Sequence, residues 1–157
     1  MEKIPMFTRR EIEILASKRV SEISREFKEG FEFLEDYPRS VTFFGANQFR
    51  EDNRYYEDAR ALASQVVKEL GYSVLSGGGP GIMEAANRGA YEAGGKSLGL
   101  LIKLPDGQIT NHYITKPFSS YYFFVRKVLL SFSAEAFIFY PGGFGTLDEF
   151  FEILTLV

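Results

Sequence analysis

An α/β fold, a doubly wound parallel sheet with helices on both faces, is the architecture this sequence predicts, and two observations predict it. From Ser40 onward, short runs rich in β-branched and aromatic residues alternate with stretches of helical apolar spacing, and three of those runs end in glycine-bearing turns. A chain of 157 residues, 45% hydrophobic and 25% charged, has the usage of one globular domain with a sizeable core.

The elements follow in order. Residues 1–40 read as a charged N-terminal helical extension: Ile12, Leu15, Ile23, Phe27 and Phe31 recur at roughly helical spacings, which predicts one or two amphipathic helices serving as a packing extension or oligomer arm. Residues 41–157 carry the α/β domain. Its first strand spans 41–45, a helix over 55–70 is closed by Gly71, and a second strand over 72–76 runs into Gly77-Gly78-Gly79-Pro80-Gly81. A helix over 82–93 ends at Gly94-Gly95, and a strand covers 97–104. Residues 109–118 form a polar loop with room for a short strand, 121–132 a helix, and 136–140 a further strand. The last helix begins near Gly145 and runs apolar and uncapped to Thr155-Leu156-Val157, where a doubly wound sheet normally continues, so a chain truncated at its C-terminus is expected.

Composition excludes several function classes. A formal charge of -3 with no basic stripe argues against a nucleic-acid surface. No cysteine and one histidine leave no disulfide, thiol nucleophile, zinc–thiolate set or His-rich metal site, so acid–base chemistry falls mainly to carboxylates. No segment approaches the ~20 apolar residues needed to span a bilayer, and the N-terminus lacks the apolar core of a signal peptide, so no membrane partner and a cytoplasmic protein are expected. The 16 Phe and 9 Tyr concentrate in part within 118–132, which reads as a core or subunit-contact helix rather than a wall for a nucleobase.

Chemistry gathers in Pro141-Gly142-Gly143-Phe144-Gly145-Thr146-Leu147-Asp148-Glu149, placed where a buried strand hands over to a helix. The glycines are expected to take positive φ and to let a ligand approach the main chain, while the free N–H groups of the first turn attract an anion. Thr146 is expected to cap the helix or bond a phosphate oxygen, and Glu149, on the first turn, to act on a sugar held there. Ligands of doubly wound sheets bind beyond the carboxyl ends of the strands, where this motif, Gly45 and the Gly77 to Gly81 loop all fall. Gly77, Gly78, Gly79 and Gly81 imply close approach of a ligand or a second backbone; no Gly-Lys-Ser/Thr closes the loop, and its spacing does not fit the dinucleotide fingerprint. Arg126-Lys127 stands among apolar neighbours, so at least one cation must reach a pocket or an anion. Glu84 and Arg88 are set for an i,i+4 pair, and His112 is read as a surface residue.

Taken together, the Gly77 to Gly81 loop with Ile82-Met83-Glu84-Ala85-Ala86, then Arg126-Lys127, then the Pro141 to Thr146 loop with Glu149 resemble the LOG family of cytokinin riboside 5′-monophosphate phosphoribohydrolases, long mislabelled as possible lysine decarboxylases. The N-terminal extension resembles the longer bacterial-type branch. The resemblance implies a Rossmann-like fold, a homodimer or a hexamer of dimers, and hydrolysis of the N-glycosidic bond of AMP or an N6-substituted AMP to free base and ribose 5-phosphate. It implies Arg126 and Glu149 as the catalytic pair, and Lys127, Gly143, Phe144, Gly145, Thr146, Leu147, Asp148 and Thr155 as nucleotide contacts, with no metal or redox cofactor. The decarboxylase label finds no support in the residues, since pyridoxal phosphate needs a Schiff-base lysine with a partner for the ring nitrogen. The rival expectation is a nucleotide-sensing or carrier module on the same scaffold.

Overall fold

The computed structural model describes residues 8–105, 107–132 and 134–156. Five parallel strands, β1 (Ser40–Phe44), β2 (Ser73–Ser76), β3 (Ser97–Ile102), β4 (Lys116–Ser120) and β5 (Ala136–Phe139), stand in the order β4-β3-β2-β1-β5. The first four strands are added in one direction and β5 returns to the far side of β1. That reversal leaves a crevice beyond the carboxyl ends of β1 and β5, the expected ligand position in an open parallel sheet.

Among the described residues, five α-helices complete the Rossmann-like α/β architecture: α1 (Arg9–Glu35), α2 (Arg54–Gln65), α3 (Ile82–Glu92), α4 (Phe123–Phe132) and α5 (Phe144–Leu156). Alternate strand residues feed two cores. Val41, Phe43 and Val74 pack under α2 and α3, while Phe44, Leu75, Leu98 and Leu100 pack under α1, α4 and α5. Small residues let α2 and α3 close on each other: Gly89 sits where a Cβ would meet the Arg60 carbonyl, beside Ala63. After α2 the chain widens into one π-helical segment, Val66–Leu70, and Gly71 stops it at φ 67°.

The extension is one helix of 27 residues. Thr8 and Glu11 cap it reciprocally, the Thr8 N–H donating to Glu11 Oε2 at 2.7 Å and the Glu11 N–H to Thr8 Oγ1 at 3.3 Å. Gly30 lies inside the helix, because Leu129 of α4 occupies the space a side chain would fill. No helix among the described residues is long and apolar enough to cross a membrane.

Candidate active site

Backbone hydrogen bonds stitch three loops together at the switch point. The Ala46 N–H donates to the Pro141 carbonyl at 3.0 Å, and the Ile82 N–H to the Ala46 carbonyl at 3.0 Å. Between the loops opens a crevice of about 590 Å³, lined among others by Gly45, Gly77, Arg126, Gly142, Gly143, Gly145, Thr146 and Glu149. The structure thus gathers eight of the anticipated residues around one space.

The glycines have separate reasons to be there. None of Gly142, Gly143 and Gly145 has positive φ, contrary to the sequence expectation. Gly142 makes room for the Thr146 side chain, whereas a Cβ at Gly143 or Gly145 would meet nothing within 4 Å. The last two therefore leave the main chain of the α5 N-terminus bare, which suits an anion drawn by the unpaired N–H groups of the first turn. Thr146 lies in the third position of α5, so the cap position belongs to Gly143. Glu149 lies in the second turn, further into the helix than expected, at i+4 from Gly145 and on the crevice side.

In the second loop, Gly77 yields space to the Arg126 guanidinium, and Gly79 to Met83. Gly78 at φ 75° and Gly81 at φ 72° adopt backbone that other residues resist, and a Cβ at Gly81 would stand 2.7 Å from the Asn47 backbone. Gly81 thus serves a second backbone, and neither it nor Gly78 and Gly79 lines the crevice. A buried polar network fixes the loop from behind. Asn87 Oδ1 accepts from Ser76 Oγ at 2.6 Å and Asn111 Nδ2 at 2.9 Å, and the Gly78 N–H donates to Ser76 Oγ at 3.0 Å. Gln108 Nε2 donates to the Gly77 carbonyl at 2.9 Å.

Arg126 donates from Nε to the Leu100 carbonyl at 2.6 Å and from Nη2 to the Gly77 carbonyl at 3.2 Å, with its remaining donors available at the crevice. Burial pushes its guanidinium below the usual value and the Glu149 charge opposes that shift. An arginine stays protonated regardless. The Glu149 carboxyl is pushed up to about 7, chiefly by burial, with the Arg126 cation pulling it down and Asp148 pushing it up. A half-buried acid near neutrality beside a fixed cation is an arrangement suited to proton transfer or to stabilising developing positive charge.

Several anticipated residues stand elsewhere. Lys127 is held by Asp148 at 2.8 Å and Glu152 at 2.7 Å, so the pair bridges α4 to α5. Phe144 is 93% exposed, Leu147 is exposed, and Thr155 donates to the Glu152 carbonyl at 2.8 Å; none of the three lines the crevice. Glu84 accepts from the Tyr56 hydroxyl at 2.9 Å instead of pairing with Arg88, whose partners are Glu51 at 2.7 Å and Glu92 at 3.0 Å. His112 is exposed. Met83, part of the motif after Gly81, also lines the crevice, as do Gln48 and Phe49, which the sequence reading does not name. Their signal was position alone, just past a strand-end glycine.

Comparison with known proteins agrees with the geometry. The family model described as possible lysine decarboxylase matches residues 83–157. The cytokinin riboside 5′-monophosphate phosphoribohydrolase LOG2 of Arabidopsis thaliana is 30% identical over 74% of this chain and 55% of that protein. The cytokinin riboside 5′-monophosphate phosphoribohydrolase of Rhodococcoides fascians is 29% identical over 75% of this chain and 61% of that protein. The chain thus spans about half the length of the curated relatives it matches. An X-ray structure of a structural-genomics target superposes with a TM-score of 0.63 at 26% identity, covering 75% of this chain and 69% of that one. The molybdenum cofactor carrier protein from Chlamydomonas reinhardtii also reaches 0.63, at 24% identity over 75% of this chain and 71% of that one, a likeness of fold. Motif, fold and relatives thus agree in the likeness they give this chain, which is to the LOG family.

Proposed function

We propose that the crevice hydrolyses the N-glycosidic bond of a nucleoside 5′-monophosphate, AMP or an N6-substituted AMP, releasing base and ribose 5-phosphate. The observation that carries this reading is Glu149: its carboxyl is pushed up to about 7 on the helix whose bare N-terminus opens into the same crevice. The 5′-phosphate would rest on the main-chain amides around Gly143 and Gly145, and that grip would hold the sugar over Glu149. Cleaving the bond builds positive charge at the anomeric carbon, which the ionised carboxylate stabilises while it orients the attacking water. Arg126 stands opposite, held by two main-chain carbonyls, to retain the nucleotide and assist the departing base. The names of the relatives from Arabidopsis thaliana and Rhodococcoides fascians support the reaction class.

The test is incubation with AMP and with N6-isopentenyl-AMP, reading free base by chromatography. Release is expected, and Glu149→Gln should reduce it ~10²- to 10⁴-fold, the usual worth of a positioned acid or base. Measurable nucleotide binding with no base released from any purine or pyrimidine monophosphate would instead favour a carrier or sensor.

A further inference from the structure

The contact between the N-terminal helix and α4 has a feature that packing alone does not require. The Glu26 carboxylate, on α1, accepts from the Tyr121 N–H at 3.0 Å with each oxygen and from the Tyr122 N–H at 3.1 Å. Those amides stand at the start of α4, where the Tyr122 N–H is one of the donors a helix leaves unsatisfied. A carboxylate there also complements the helix dipole. Tyr122 in turn accepts from the Arg126 N–H at 3.2 Å, so the residue that Glu26 holds is the one on which Arg126 closes its turn.

One turn along α1, Gly30 receives the Leu129 side chain. Glu26 and Gly30 therefore grip α4 on either side of Arg126, at residues 121–122 and at residue 129. Phe27 against Phe124 and Phe31 against Phe132, with ring centroids 6.2 and 4.9 Å apart, continue the same seam. The guanidinium has little latitude at its far end either, because it bonds the Leu100 and Gly77 carbonyls and fills the space Gly77 leaves. A shift of α4 along its axis would break those bonds.

We propose that Glu26 is a positioning residue for Arg126, acting through the first turn of α4, and that the N-terminal helix thereby sets the geometry of the crevice. It touches neither the crevice nor a ligand there. Its kinetic consequence rests on the hydrolase reading; its electrostatic consequence does not, because Arg126 is a neighbour whose charge acts on the Glu149 carboxyl, alongside Lys127, Asp148 and Glu152.

The experiment uses the full chain. Glu26→Met keeps stem length and helix propensity but has no oxygen for the amides. Glu26→Gln keeps one, and Glu32→Ala, an exposed residue of the same helix, is the control. Titration of Glu149 is followed by carbon NMR of labelled glutamate, with Glu149→Gln assigning the signal, and melting temperature is recorded for each variant. Expected in Glu26→Met are an upward move of the Glu149 midpoint, as the Arg126 cation loses its fixed place, and a ~10- to 100-fold loss of kcat, larger than the accompanying rise in KM. Glu26→Gln should restore most of both, and Glu32→Ala should match the unaltered chain. A folded Glu26→Met with the original midpoint and kcat, whatever its melting temperature, overturns the proposal. Should Glu26→Met fail to fold, Glu26→Asp, whose carboxylate is withdrawn by one methylene, is judged by the same two readouts. If the unaltered chain hydrolyses no nucleotide, the functional reading fails and the titration alone decides the role of Glu26.

Discussion

At the residue scale, the crevice depends on a carboxyl kept from water. Because the folded chain raises Glu149 from 4.5 to about 7, it holds that proton longer than the unfolded chain does. Stability contributed by the protonated form is complete below the unfolded value and is lost as pH climbs through the folded one. Glu149→Gln, neutral throughout, should therefore melt higher than the unaltered chain at about pH 8 and match it at about pH 4, as scanning calorimetry at both values can check. If the carboxylate is the working form, kcat/KM should climb through the same midpoint near 7, in the direction opposite to stability. A melting difference that does not depend on pH would deny the burial of this charge. The sequence pointed to Glu149 through its neighbours in the motif. It could not reveal the raised carboxyl, since that arises chiefly from burial by loops brought together from distant parts of the chain, against the opposing pull of the Arg126 cation.

At the element scale, glycines that look alike in the sequence do opposite work. Gly81 enters α3 at φ 72° and ψ -130° with the backbone of Asn47 against it, so Gly81→Ala should cost on the order of 1–3 kcal/mol and lower the melting temperature. Gly145 sits in the first turn of α5 with open space around it and ordinary backbone, so Gly145→Ala should gain up to about 1 kcal/mol of helix propensity. Its methyl would cover amides meant for an anion, and AMP binding by calorimetry should weaken even as the protein melts higher. Equal effects of the two substitutions on stability would refute this division. Element order was readable wherever a strand is buried on both faces, as in β1 and β2, because such strands appear as short runs that end in a glycine. β4 starts within the loop over 109–118 that the sequence predicts and ends later than it, a limit the sequence does not mark because this is an edge strand with exposed residues and a proline, and carries no alternation. The role of Gly30 inside α1 is set by Leu129, far away along the chain.

At the scale of the whole molecule, the two helices that frame the crevice also present much of the exposed apolar surface. Phe123, Phe124, Val128 and Phe132 on α4 and Leu147, Phe151, Leu154 and Leu156 on α5 are exposed, and the Lys127 pairs with Asp148 and Glu152 hold the two helices side by side. Aromatic and aliphatic surface on this scale, bordered by charge, is characteristic of a contact surface. We propose that a second copy of the chain covers it, giving the homodimer or larger assembly that the family resemblance implies, with Arg126 and Glu149 close to the seam. Under this proposal α4 has three duties: it buries Val125 and Leu129, presents Arg126, and meets the partner. Those duties account for a helix that is apolar nearly all round. Sedimentation velocity should show a species of at least twice the chain mass that dissociates on dilution. Phe151→Glu together with Leu154→Lys should leave a folded monomer, because both side chains are exposed in the single chain and their replacement costs its core nothing. A monomer at every concentration up to the solubility limit would refute the assembly while leaving the crevice, whose lining comes from one chain, as it stands.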